Sequence, residues 1–201
     1  MRRRIVEGTS LAVVMLAGHA NADVLISNLP GDDGSQTAGI NDGSRTKGMG
    51  FTMPSGPGYF LDELILRLEI DDVSVVPVIE IFSDAGGVPG TSLTTLDNPD
   101  TFSSGIANYS FTSSDQFTLD GDTSFWIVAS SASLTYDWKA SGPSQTPTGI
   151  ATHLGATFGT FPPTSPSGIL TSYELQGTLV PAPSALAMLS LGGLAAARRR
   201  R

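Results

Sequence analysis

The chain has 201 residues, with 11 Lys and Arg against 19 Asp and Glu, a formal net charge of −8 and no cysteine. Three of the basic residues stand in Arg2–Arg4 and four in Arg198–Arg201, so the body between them sets four against 18 acids, about −14. So acidic a body excludes nucleic-acid binding, which needs a basic surface, and the missing cysteines exclude a thiol nucleophile and thiolate metal sites.

Met1-Arg2-Arg3-Arg4 is a basic start, and Leu11–Gly18 is a short apolar run. Ala20-Asn21-Ala22 follows with the small-x-small pattern of a signal-peptide cleavage site, which makes Asp23 the expected first residue of the mature chain. Residues 1–22 are therefore read as a signal peptide, residues 23–179 as one domain and residues 180–201 as a separate C-terminal signal. About 150 residues are enough for one domain with a real core. His19 falls in the leader, leaving His153 as the only histidine of the body. A His-rich zinc cluster is thereby excluded.

Gly, Ser, Thr and Pro punctuate the body, and no long amphipathic helix stands out. Short alternating apolar runs between turn clusters predict an all-β fold, an antiparallel β-sandwich of jelly-roll-like type. Val24–Leu29 is the first expected strand. Gly31–Gly50 is polar and Gly-rich, and reads as a long loop. Tyr59–Ile70 is the strongest run, with Leu64, Leu66, Leu68 and Ile70 alternating with Ile65, Arg67 and Glu69. Leu61, Leu64, Ile65 and Leu68 also fit a helical face, but the β-like neighbours favour a strand. Val73–Phe82 comes next, and Pro77 inside it predicts an edge or a bulge. Ser83–Gly90, with three glycines and a proline, is a turn.

Ser92–Leu96, Ala107–Thr112 and Gln116–Leu119 are short strands, and Asp120-Gly121-Asp122 is a turn. Ser124–Ser130 sets Phe125, Ile127 and Ala129 on one face and Trp126 and Val128 on the other. Leu134–Trp138 is expected to pair with it. Ser141–Thr148 and Phe161–Ser167 are Pro-rich loops. Ile169–Leu179 closes the domain, with Tyr173, Leu175 and Leu179 on one face.

The tail has three parts: Val180-Pro181-Ala182-Pro183-Ser184, the uncharged run Ala185–Ala197, then Arg198, Arg199, Arg200 and Arg201. As a helix the 13-residue run would span roughly 20 Å at ~1.5 Å per residue, short of the ~30 Å hydrocarbon core. Gly192-Gly193 weakens it further. It reads as a transient membrane segment whose arginines stay on the cytoplasmic side. This order resembles the PEP-CTERM sorting signal, with Ala182 where Pro-Glu-Pro usually has its carboxylate. The resemblance implies an exosortase-like transpeptidase as a partner, transient membrane tethering, and delivery to the cell surface or extracellular matrix.

Ile79–Leu96, with its Asp-Ala-Gly-Gly-Val-Pro-Gly turn, Tyr109–Ser130, with its Phe-Trp strand, and Thr135–Gly142, with its Trp, resemble a choice-of-anchor domain nearest the R type. That resemblance covers Phe51 to about Gly142. It implies surface display and names no catalytic residue.

Candidate site residues are few. Trp138, Tyr136 and Trp126 offer flat apolar faces on which an extracellular polysaccharide could stack, with Tyr59 beside them, set against a core role for each. Asp120 and Asp122, Asp71 and Asp72, or Asp32 and Asp33 could supply calcium oxygens. The spaced oxygens of an EF-hand loop are missing, so these read as turns and no cofactor or metal site is assigned. A Ser-His-Asp set would need His153, and the Gly-x-Ser-x-Gly elbow is absent. No catalytic residue is assigned, and the chain is expected not to be an enzyme.

Overall fold

Every regular element among the described residues is a β-strand. The computed structural model describes residues 22–29, 36–41, 43–140 and 145–181. The strands are β1 (Asp23–Ser27), β2 (Thr37–Ile40), β3 (Thr46–Thr52), β4 (Tyr59–Ile70), β5 (Val76–Asp84), β6 (Pro89–Thr95), β7 (Gly105–Phe111), β8 (Thr118–Leu119), β9 (Ser124–Ser133), β10 (Tyr136–Lys139), β11 (Thr148–Gly149), β12 (Thr152–Gly159), β13 (Ser165–Pro166) and β14 (Tyr173–Leu179). They form two antiparallel sheets. The first runs β11-β1-β14-β4-β10-β2, with β7 and β8 also on β4. The second runs β13-β12-β3-β9-β5-β6.

The period of two in Tyr59–Ile70 makes β4 the central strand of the first sheet. Leu64, Leu66, Leu68 and Ile70 are fully buried, while their alternating neighbours are not. One side of β4 pairs with β8 and β7, and the other pairs first with β14 and then with β10. Where β14 gives way to β10, Arg67 N donates to Ser172 O and Ser172 N donates to Lys139 O. The Asn28 amide ties the same junction, accepting from Tyr173 N and donating to Thr171 O. Such pairing is required because an orphaned buried backbone group costs about 1–3 kcal/mol.

The core lies between the sheets. Leu64, Leu66 and Leu68 from one meet Met49, Phe51, Ile79, Ile81, Phe125 and Ile127 from the other. The expected faces of β9 are observed: Phe125, Ile127 and Ala129 join this core, while Trp126 and Val128 form a second cluster with Phe82.

Four expectations are corrected. The glycine-rich 31–50 stretch contains β2 and the start of β3. Gly48 and Gly50 lie under the Trp126 ring, and a Cβ on Gly50 would come within 2.9 Å of it. Their glycines mark close packing, which is why they look like a loop in sequence. β12 was not expected, because its glycines and polar residues hide the pairing with β3. β10 pairs with β4 and β2 in the opposite sheet to β9; Leu134, at φ 56°, helps turn the chain away between them. Leu179 is exposed although Tyr173 and Leu175 are buried; the alternation runs on through buried Gly177, and Leu179 is the last residue of the strand, opposite Tyr59 at the first residue of β4. Pro77 does sit at a register shift against β9, in the part of β5 that β6 does not reach.

Candidate functional site

The three aromatic candidates are structural. Trp126 is 1% exposed, Trp138 0% and Tyr136 3%, so none offers a face on which a sugar could stack. Each instead buries its ring and anchors its polar tip. Trp126 Nε1 donates to Asp84 Oδ1 at 2.7 Å. The Asp84 carboxylate also accepts from Gly86 N and Gly87 N, so one side chain both caps the glycine turn and fixes the indole. Trp138 Nε1 donates to Ser172 O at 2.9 Å, at the β14/β10 junction. Tyr136 Oη donates to Ser130 O at 2.8 Å, linking the two sheets, and burial pushes its phenol well above its ordinary value. Tyr59 is half-buried against the core.

Asp71 and Asp72 follow the end of β4, whereas Asp120 and Asp122 follow β8, which pairs with the start of β4. Asp122 has φ 56° in the turn before β9, and Gly121 is pressed against the Gly56 backbone. Asp72 Oδ1 accepts from Ser74 N and Ser74 Oγ. These bonds hold its carboxyl below the usual range. Among the described residues no three His, Asp or Glu side chains gather as metal ligands. Asp32 and Asp33 lie outside the described residues, as do Ala20, Ala182, Pro183 and Arg198–Arg201. Ala22 leads into β1, where Asp23 pairs with Gly177. At the other end Val180 N donates to Gly58 O, and Pro181 is exposed.

His153 lies on β12 opposite Phe51. Its Nδ1 is buried without a hydrogen-bond partner. Desolvation holds its imidazole below 6.5, and the Lys47 charge acts in the same direction, against a hydrogen bond with the Gly50 backbone.

The concentration of charge that sequence reasoning missed is at Lys47. By the alternation of β3, Lys47 points to the same side as Met49 and Phe51, into the sandwich. It is 0% exposed. Its Nζ donates to Ser167 Oγ at 2.8 Å and to Ile169 O at 2.5 Å. No carboxylate pairs with it among the described residues, and desolvation lowers the ammonium from 10.5 to about 8. Lys47 thus fastens the segment that crosses from β13 in one sheet to β14 in the other. Against that segment is a cleft of about 220 Å³ lined by Thr37, Ala38, Gly39, Arg45, Phe158, Ser167 and Ile169. A strand assignment for Thr46–Thr52 is the signal that would have turned Lys47 inward.

No protein-family model, curated protein or solved structure matches the chain.

Proposed function

We propose that the chain is an exported bacterial surface or extracellular-matrix protein, without catalysis of its own. The leader 1–22 delivers it across the membrane. The tail 180–201 tethers it transiently and is handed to an exosortase-like transpeptidase, and the body 23–179 is the displayed, jelly-roll-like choice-of-anchor domain. The observation that carries this reading is the three-part order of the tail: Pro181-Ala182-Pro183, the short apolar run, then Arg198–Arg201.

The fold supports the same reading from its two exits. Asp23 pairs with Gly177, and Gly177 with Leu61, so the expected mature start and the root of the tail leave from one end of the first sheet. From Leu61 to Glu69, β4 carries the chain roughly 26 Å away at about 3.3 Å per residue. There Glu69 pairs with Asp137 and Asp137 with Gly39, which places the Arg45 cleft far from the tether.

Mass spectrometry of the termini of the protein purified from its native cells tests this. The expected chain starts at or near Asp23 and ends between Pro181 and Ser184. A chain that retains Arg201 overturns processing of the tail.

A further inference from the structure

We propose that the cleft between β2 and the 167–169 segment holds the carboxylate of a single sugar-acid residue, such as the acidic end of an extracellular glycan. The choice of a sugar acid rests on reading the chain as a matrix protein. The carboxylate site rests on the geometry alone.

Charge points to the ligand first. The body has only four basic residues. Lys139 is paired with Glu69 at 2.9 Å, and Arg67 Nη1 donates to Asn108 Oδ1 at 3.2 Å. The other two, Arg45 and Lys47, are the ones associated with this cleft. Arg45 lines it directly, and its planar fork matches a carboxylate. Lys47 stands behind, bonded to Ser167 and Ile169, two of the lining residues. Its buried ammonium has no carboxylate partner among the described residues and adds positive potential to the wall, poorly screened by solvent.

Size and lining point to one ring. A volume of about 220 Å³ falls below the ~300–1,000 Å³ of sites for larger ligands. Phe158, Ala38 and Ile169 give apolar surface; Thr37 Oγ1 is committed to Trp138 O, while Ser167 Oγ accepts from Lys47 Nζ and Ile169 N and keeps its own hydrogen to donate. Asp137 limits the charge accepted. A Cβ on Gly39 would lie 3.2 Å from Asp137 Oδ1 and 3.7 Å from Arg45 Nη1, so the carboxylate flanks the guanidinium. One ligand charge is compensated there; a polyanion is repelled by Asp137 and by the acidic body.

The test uses the ¹⁵N-labelled full chain in a sugar-free non-ionic detergent, titrated with sodium glucuronate, glucose or sodium acetate. Glucuronate is expected to shift the amides of Thr37–Gly39, Arg45 and Ser167–Ile169 with saturation in the millimolar range, and glucose is expected not to. Arg45→Gln is expected to weaken glucuronate binding by about tenfold or more. Arg67→Gln, which removes the same charge elsewhere on the surface, is expected to leave it unchanged. Absence of saturable shifts, or binding unaltered by Arg45→Gln, overturns the site. Acetate binding as tightly as glucuronate overturns the sugar. Correctly trimmed termini without glucuronate binding defeat only this proposal, and binding by a chain that keeps Arg201 in its native cells defeats only the sorting reading.

Discussion

Replacing Lys47 by Met keeps the apolar length of the side chain and removes a buried charge. The fall of the ammonium from 10.5 to about 8 corresponds to about 3 kcal/mol, at ~1.36 kcal/mol per pH unit. Because the folded-state value is the lower one, the unfolded chain holds the proton more often between those two values. Stability of the natural protein therefore rises with pH through the window from about 8 to 10.5, and the burden of the charge is fully present below it. Against this stand the bonds to Ser167 Oγ and Ile169 O, whose loss orphans a carbonyl at roughly 1–3 kcal/mol. At pH 7 the two effects nearly cancel, so the Met variant is expected to be about as stable as the natural chain. By the top of the window the natural chain gains about 3 kcal/mol over the variant. Urea denaturation followed by tryptophan fluorescence at stepped pH measures the difference. The buried phenols of Tyr136 and Tyr173 are raised above 10, so both proteins lose stability as pH rises past that value; this loss is shared and cancels on subtraction. Two curves that stay parallel across the window refute the account of Lys47 as a desolvated, unpaired cation.

Two further expectations are simpler. Gly50→Ala drives a methyl to within 3.0 Å of three Trp126 ring atoms, so the indole must move and thermal stability should fall by roughly 1–3 kcal/mol. A red shift in tryptophan emission should accompany the fall, and an unchanged melt counts against the packing described. For His153, desolvation depresses the imidazole below 6.5, so the unfolded chain takes up the proton first and stability drops as the solution is acidified through that range. His153→Gln should flatten this acid limb, and an imidazole midpoint above 6.5 in an NMR titration would contradict it.

The strands that sequence made legible are those whose side chains alternate without interruption. β4 and β9 declare themselves because Leu64 to Ile70 and Phe125 to Ala129 carry large residues at every second position. β3 does not, because Gly48 and Gly50 lie under Trp126 and glycine in a strand looks like glycine in a loop; β12 does not, because its glycines and polar residues interrupt the apolar alternation. Pairing partners were harder than strands. Proximity in sequence suggested that Leu134–Trp138 returns beside β9, whereas Tyr136 and Trp138 cross to the other sheet and hydrogen-bond back to Ser130 and Ser172. The candidate site failed for a related reason. An aromatic residue in a strand can lie on either face, and here all three are covered: Tyr136 and Trp138 belong to the main core, and Trp126 packs with Phe82 and Val128 on the other face of β9. The cleft was invisible because Thr37–Gly39 and Arg45 are more than a hundred residues from Phe158 and Ser167 and meet them only in the folded chain.

The position of β14 decides how a tethered molecule meets force. If the tail is held and the far end of the body is pulled, tension runs along the axis of β14 toward Leu179. That strand lies between β1 and β4, with its ladder bonds to both perpendicular to the pull. The bonds are then loaded together in shear and cannot open one after another like a zipper. A domain whose C-terminal strand lay at a sheet edge would peel; here β1 and β4 hold β14 from both sides.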